Sequence, residues 1–564
     1  MQHKILKRLK STYNQVKISQ FVTKSKSNYS TGNTSHLNLR MKAKDILNLP
    51  STPSISPSYP FGPYRFIDRE WFIVRYISDA EALRKVVPSP LVPNKDNIVL
   101  YEWINMPDST GFGDYHESGT VIPCTFEGKP INYTLQMFLD CEPPIAAGRE
   151  IWGFPKKYAV PKLEVIRDTL NGSLNYRGQE VAYGTMAYKY KQLDQNEVIT
   201  GLKQDSCNLK VIPGVNGKPK ICQLVGYNLE DVNLKEAWEG PARLELNSHV
   251  KAPTGELPIR KILGGKHIIA DITLPYGRVL YDYMKDYHNI PKQTVKKFQG
   301  INFFNCDDFS NKDHVALTPS MPHISPMYVN NKIKVEREIL TFRYLSCPEE
   351  IAKILPEPLI PYEKPVILLV WSNSNGTDGN YHKLDMFIPC YFKDELVQYN
   401  ALSYVDQSSV RTENREKYGQ PQKLGFPSVE VTKDTVLAKF CYNQNDPIAI
   451  GSMAYQFQEV AQHEFQEIMK IPVVQLKFIP GVEKGSVEIA QLTKMVYEDL
   501  HIHKCYKGPS KLQLKNHVAA PIKDVPIIKM LSGFHIKADY TIRKGQVIYD
   551  YLENQENNNK QQTI

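Results

Sequence analysis

The chain repeats itself over a long period. DREWFIVRYISDAEALRKVVPSPLVP (Asp68–Pro93) reappears as EREILTFRYLSCPEEIAKILPEPLIP (Glu336–Pro361), GPARLELNSHVKAP (Gly240–Pro253) as GPSKLQLKNHVAAP (Gly508–Pro521), and VLYDY (Val279–Tyr283) as VIYDY (Val547–Tyr551). Arg69 and Arg337, His249 and His517, and Tyr281 and Tyr549 are each 268 positions apart, whereas Tyr115 and Tyr381, and Pro155 and Pro421, are 266 apart. A two-residue deletion in one loop, restored later, accounts for the difference. Solenoid repeats run to roughly 20–50 residues, so this period means two tandem copies of a whole domain. A length of 564 residues, long for a single core, agrees.

Within each copy, short segments rich in β-branched and aromatic residues alternate with Gly, Pro, Asn and Asp. Trp71–Tyr76, Asn97–Trp103, Ile131–Leu139, Tyr183–Tyr190 and His267–Leu274 read as strands. Helical periodicity is clearest at Asp79–Val87, with Ser78 as the expected N-cap and Pro88 as the stop. The expected fold class is α+β, mostly antiparallel β. The expected layout is a basic disordered or targeting segment at 1–50, a first domain at 51–295 entered through the extended stretch Pro50–Pro63, a linker at 296–326, a second domain at 327–556 and a polar tail at 557–564.

The net charge of +9 is concentrated in the first 44 residues, where ten lysines and arginines from Lys4 to Lys44 precede the first acid, Asp45. That places the positive charge in a terminal segment rather than on a folded motif, so a nucleic-acid partner is not expected. Met1–Val22 could form a basic amphipathic helix of the kind that directs proteins to mitochondria. The expected location is cytoplasmic, with mitochondrial import as the alternative. No apolar run approaches the roughly 18 residues of a membrane span, so no membrane partner is expected. The nine cysteines are scattered, odd in number and without a C-x-x-C, and they read as reduced thiols. His501 and His503, the one close histidine pair, read as neighbours on one face of a strand, and no metal is expected.

The stretch with chemistry in it is GREIWGFPKKYAVPKLEV (Gly148–Val165). Lys156 and Lys157 follow a proline and sit among Trp152, Phe154, Tyr158 and Val160. Adjacent lysines are ordinarily solvated surface charge. In an apolar setting, however, desolvation and like-charge repulsion both lower an ammonium pKa, and a neutral amine can attack a carbonyl to form an imine.

GREIWGFPKK, together with FGPYRFIDREWF (Phe61–Phe72), ALRKVVPSPL (Ala82–Leu91), YHESG (Tyr115–Gly119) and EAWEGPARLEL (Glu236–Leu246), resembles acetoacetate decarboxylase in order from about Pro60 to Tyr283. That family is itself the standard illustration of a lysine activated by its surroundings. The resemblance implies a cone-shaped antiparallel β-barrel and a homo-oligomer. It implies Lys156 as the nucleophile, Lys157 as the cation that keeps it neutral, and Arg69, Glu102 and Glu117 as the other charged groups. Glu117 would lie on a glycine-flanked loop (Gly111 to Gly119), with Phe154 and Met137 lining the pocket. The reaction implied is decarboxylation of acetoacetate, a small oxo acid, to acetone and CO2 through an imine on Lys156, without metal or organic cofactor. Trp152 is bulkier than its counterpart in some relatives, and if it narrows or reshapes the cleft the preferred oxo acid could differ.

The second copy reads NREKYGQPQKLGFPSVEV (Asn414–Val431) where the first has its lysine stretch. Gln422 stands opposite Lys156, Val370 opposite Glu102 and Lys383 opposite Glu117, while Arg337 matches Arg69 and Lys423 matches Lys157. An amide cannot form the imine, so the second copy is expected to be a catalytically dead structural partner, or a remodelled binding pocket. Two alternatives remain for the whole chain: a Schiff-base aldolase, dehydratase or decarboxylase acting on another oxo acid, and a non-catalytic binding or scaffold protein.

Overall fold

Alternation along the strands sets up two different faces on one sheet. In β1 (Tyr64–Ile77), Phe72, Val74 and Tyr76 point to a large apolar core, while Arg69, Trp71, Ile73 and Arg75 point to the opposite side. β2 (Ile98–Met106) does the same, with Val99, Tyr101 and Trp103 in the core and Ile98, Leu100 and Glu102 on the other face. A period of two carries both sets, because successive side chains leave a strand on opposite faces. The protein is described here from a computed structural model covering residues 34–555 apart from 286, 291–310, 329–332, 377–378, 444 and 543–544. The basic helix expected over Met1–Val22, the tail at 557–564 and much of the linker lie outside the described residues.

The main sheet of the first copy runs in the order Lys191–Gln192, Glu230–Gly240, Lys261–Leu274, β1, β2, β3 (Tyr115–Phe126), β4 (Lys129–Leu139), Ser206–Pro213, Pro219–Tyr227, Arg278–Asp282. Neighbours are antiparallel except at β4, which pairs in parallel both with Ser206–Pro213 and with the short β5 (Lys156–Tyr158). A four-stranded sheet, Val160–Ile166 to Ala242–Leu246, covers the core face. The second copy repeats both sheets in the same order. The mostly antiparallel, strand-rich fold therefore agrees with expectation, but the barrel does not close: the terminal strands of the path are two and five residues long and do not pair with each other among the described residues. The expected helix forms over Ala80–Val86, with Asp79 rather than Ser78 at its N-cap. Tyr188–Tyr190 falls outside the expected strand, where Lys189 takes a positive φ.

The segments expected as a terminal segment, a lead-in to the first domain and a linker are built into the domains, crosswise. Ile46, on the helix Ala43–Leu47, is buried in the second copy's core, and Lys42 pairs with Glu357 at 2.7 Å. Val315 and Ala316, from the expected linker, are buried in the first copy's core. Ser51–Tyr59 runs against the second copy, where Ser56 Oγ donates to the Ala519 carbonyl at 3.0 Å. Ser320–Tyr328 runs against the first, where His323 meets Tyr133 and the Val86 carbonyl at 3.1 and 2.8 Å. Each copy thus receives an arm from the other. The physical reason is the apolar content of the arms, which a loose tail or linker would leave in water.

Between the copies two short π-helical turns face each other, Gly148–Trp152 and Asn414–Tyr418. Arg149 holds Glu416 in a fork at 2.6 and 3.0 Å, and Arg415 holds Glu150 at 2.6 and 2.9 Å, all four side chains being buried. Tyr328 donates to Glu416 and Tyr59 to Glu150, each at 2.5 Å. This reciprocity is the mark of an isologous interface, here within one chain. Symmetry fails at Arg411, which pairs with Glu142 at 2.6 Å, because the corresponding positions carry Ile145 and Ser408.

Candidate active site

The face of the sheet away from the main core encloses a cavity of about 390 Å³ in the first copy. β1 contributes Arg69 and Trp71, β2 Glu102, β3 Tyr115 and Glu117, β4 Met137, and β5 Lys156, with Phe154 just before it. Lys156 reaches this cavity because β5 adds to β4 in parallel, with the Lys156 Cα opposite Met137. The left-handed turn at Gly153 (φ 76°) brings the chain there. A side chain at Gly153 would stand 2.3 Å from the Lys210 Cα, so only glycine fits.

Lys156 Nζ stands 2.5 Å from Glu117 Oε1 and 5.0 Å from the centre of the Phe154 ring, and Lys156 and Glu117 are both buried. Glu117 sits within β3, opposite Ile104 and Leu139, not on the expected loop. Glu102 faces the same space. Burial pushes its carboxyl up to about 7, against the pull of Arg69 and with the help of Glu117. Arg69 lies over the Trp71 ring at 4.6 Å and the Phe66 ring at 5.4 Å, and its buried Nε has no hydrogen-bond acceptor among the described residues. Burial also raises the phenols of Tyr115 and Tyr227, so both remain O–H groups in the wall.

Lys157 is not part of this constellation. As the next residue on β5 it leaves the opposite face. Its Nζ donates to the Lys251 carbonyl at 2.7 Å, the Ser325 carbonyl at 2.6 Å and the Ser325 hydroxyl at 2.8 Å. Burial, then Lys251 and Arg149, hold its pKa well below the usual lysine value. The corresponding Lys423 makes the same contacts, to Ser56 and the Ala519 carbonyl. Because both copies keep the lysine in the same setting, it fastens the exchanged arm. The expectation that Lys157 neighbours Lys156 in the pocket is thereby corrected. Trp152 likewise does not line the cavity. It donates from its indole to the Pro275 carbonyl at 3.1 Å and packs behind Phe154 and Tyr64.

One residue that sequence reasoning missed is Gly148. A Cβ there would stand 2.8 Å from Lys156 Cδ and 3.3 Å from its Nζ, so the absent side chain is the space the lysine occupies. The second copy has Asn414 at this point, whose amide donates to Gln422 Oε1 at 3.1 Å. Its cavity is about 50 Å³, roughly an eighth of the 390 Å³ in the first copy. Phe465 stands there in place of Val198, and the tilted ring pair Tyr497 and Tyr540 takes the place of Leu229 and Ile272. Lys383 pairs with Asp385 at 3.0 Å and donates to Gln420 Oε1 at 2.7 Å. Among the described residues no His, Cys, Asp and Glu cluster suits a metal ion, no helix is long and apolar enough to cross a membrane, and none of the eight described cysteines is in a disulfide.

Comparison with known proteins gives one family. The profile described as Acetoacetate decarboxylase (ADC) matches residues 48–284 and again 316–552. Proteins named acetoacetate decarboxylase from Acidiphilium cryptum and Paraburkholderia phytofirmans are 53% and 52% identical over 232 and 245 residues, which are 41% and 43% of this chain and 94% and 97% of theirs. A solved acetoacetate decarboxylase from Legionella pneumophila is 44% identical, with a TM-score of 0.41, covering 46% of this chain and 99% of that one.

Proposed function

The chain belongs to the acetoacetate decarboxylase family, once in each copy, and from that premise we propose that its first copy converts acetoacetate to acetone and CO2 through an imine on Lys156. The observation that carries this reading is a buried lysine amine facing a 390 Å³ cavity beside two glutamates and an arginine. Glu117, in contact with the amine, takes its proton. The neutral Nζ attacks the 3-oxo carbon, water leaves, and the cationic C=N accepts the electron pair when the bond to CO2 breaks. Glu102, whose carboxyl is pushed up to about 7, is protonated often enough at neutral pH to deliver a proton to the enamine carbon. Water then hydrolyses the imine, releasing acetone and Lys156. The buried Nε of Arg69 is a free donor for the substrate carboxylate.

The second copy takes the role of a catalytically silent partner, since Gln422 has no amine to offer and its cavity is roughly an eighth the size of the first copy's. The fused pair does the work of one dimer, and assembly of several chains into a homo-oligomer uses other faces.

Borohydride reduction of the full chain during turnover, followed by peptide mass mapping, tests the assignment. An isopropyl adduct confined to Lys156, with no turnover by Lys156→Ala, is the expected result. An adduct elsewhere, or activity surviving Lys156→Ala, refutes it. Trapping that succeeds only with a different oxo acid would move the substrate and leave the lysine in place.

A further inference from the structure

The carbonyl of Lys156 is not held by its own sheet alone. Arg149 Nη1 donates to it at 3.0 Å, while the Nε and Nη2 of the same guanidinium are forked onto Glu416 at 2.6 and 3.0 Å. Glu416 belongs to the second copy. A planar guanidinium with a carboxylate fixing one edge has its remaining N–H directions fixed as well. The path from the silent copy to the nucleophile is therefore two hydrogen-bonded links through rigid groups, all buried.

We propose that Glu416 is a positioning residue for the active site of the first copy, acting through Arg149 on the backbone of Lys156. The proposal rests on the reading of Lys156 as the nucleophile. The pseudo-symmetric link supplies its own control: Glu150 forks Arg415, whose Nη1 donates to the Gln422 carbonyl at 3.2 Å, where there is no amine to place. Glu416 and Glu150 occupy equivalent buried settings, each also accepting from a tyrosine hydroxyl at 2.5 Å. A purely structural role predicts equal effects from the two. A positioning role predicts an effect from one.

Glu416→Gln and Glu150→Gln in the full chain separate these cases. Both are expected to lower Tm by similar amounts. Glu416→Gln is expected to lower kcat for acetoacetate roughly tenfold with KM little changed, as a displaced reacting group does, whereas Glu150→Gln keeps kcat within twofold of the parent. A second readout uses a β-diketone, which forms a coloured enaminone with a reactive amine but has no carboxylate to lose. The rate of enaminone formation at Lys156 is expected to fall in Glu416→Gln alone. A parent that forms the enaminone without decarboxylating acetoacetate would sink the substrate reading and leave positioning testable. A parent that forms neither would overturn both. If Glu416→Gln does not fold, Tyr328→Phe, which removes one donor to Glu416, gives the same test in milder form. Equal kcat in the two variants of a pair, or equal to the parent throughout, overturns the proposal.

Discussion

Replacing Gly148 with alanine separates stability from chemistry. The new Cβ would lie 2.8 Å from Lys156 Cδ, 3.0 Å from Cε and 3.3 Å from Nζ. Carbon atoms rest at about 3.5–4.0 Å, so the lysine side chain must withdraw by roughly 0.7–1.2 Å. The backbone itself has no objection: Gly148 has φ −59° and ψ −44°, and alanine is favoured over glycine in a helical residue by up to about 1 kcal/mol. Overpacking costs about 1–3 kcal/mol when rigid groups collide, but here the colliding group is the far end of a flexible side chain. The two effects nearly cancel, and Tm should move by only a few degrees. The rate should not be spared, because a reacting group displaced by about 1 Å can lose about 10²-fold. CO2 release from acetoacetate and borohydride trapping at Lys156, measured beside a melting curve, read both quantities. Asn414→Ala, at the same point of the second copy, should leave the rate alone. Gly148→Ala with the parent rate and a normal adduct would refute the claim that this glycine makes room for the nucleophile.

Other outcomes follow from the same geometry. Gln422→Lys should form no adduct at its own position, because Asn414 fills the equivalent of the Gly148 space and the cavity is only about 50 Å³. Peptide mapping after borohydride reduction checks this. Lys157→Met should lower stability by about 1–3 kcal/mol by stranding the Ser325 and Lys251 carbonyls, while the pH dependence of imine formation at Lys156 stays put. An upward shift of that dependence by a unit or more would restore a direct electrostatic role for Lys157. Glu102 binds its proton more tightly in the folded chain than in the unfolded one, since burial lifts it from 4.5 to about 7. Its contribution to stability is therefore present below about pH 4.5 and lost as pH rises to about 7, a change of up to about 3 kcal/mol. Part of the side chain is open to the cavity, so this is an upper figure. Glu102→Gln should raise Tm at pH 8, leave it nearly unchanged at pH 4, lower kcat and remove the alkaline limb near 7. A Tm–pH curve parallel to that of the parent would overturn this.

The repeat, the strand-rich class and six of the seven candidate site residues were legible because they rest on identity and spacing along the chain. Lys156, Glu117, Glu102, Arg69, Phe154 and Met137 all meet at one cavity. Lys157 failed because two adjacent residues can share a site only if the chain turns between them, and β5 is a strand of three residues too short to leave a pattern. Glu117 was read as part of a loop because Gly119 interrupts a segment that is in fact paired on both sides. Gly148 carried no signal as a missing side chain. Its pairing with Asn414 across the repeat, changed together with Lys156 and Gln422, could have exposed it. The Arg149-Glu150 and Arg415-Glu416 doublets were also visible as charges kept in a copy that lost its chemistry, which is how an interface looks in sequence. The exchange of arms was hidden, because nothing local in Ser51–Tyr59 says which copy it will cover.

That exchange has a bearing on how the protein is made. Thr52 waits for Arg415, and Ser56 for Ala519, contacts that span 363 and 463 residues of chain. At the roughly 5–20 residues per second of protein synthesis, the first arm spends about 20 to 90 seconds outside the ribosome with no surface to cover. The first copy, for its part, emerges complete in its own residues and still lacks the strip at Ser320–Tyr328 and the carboxylate of Glu416. On the proposed assignment, the surroundings of Lys156 are therefore completed only once synthesis has run well into the second copy.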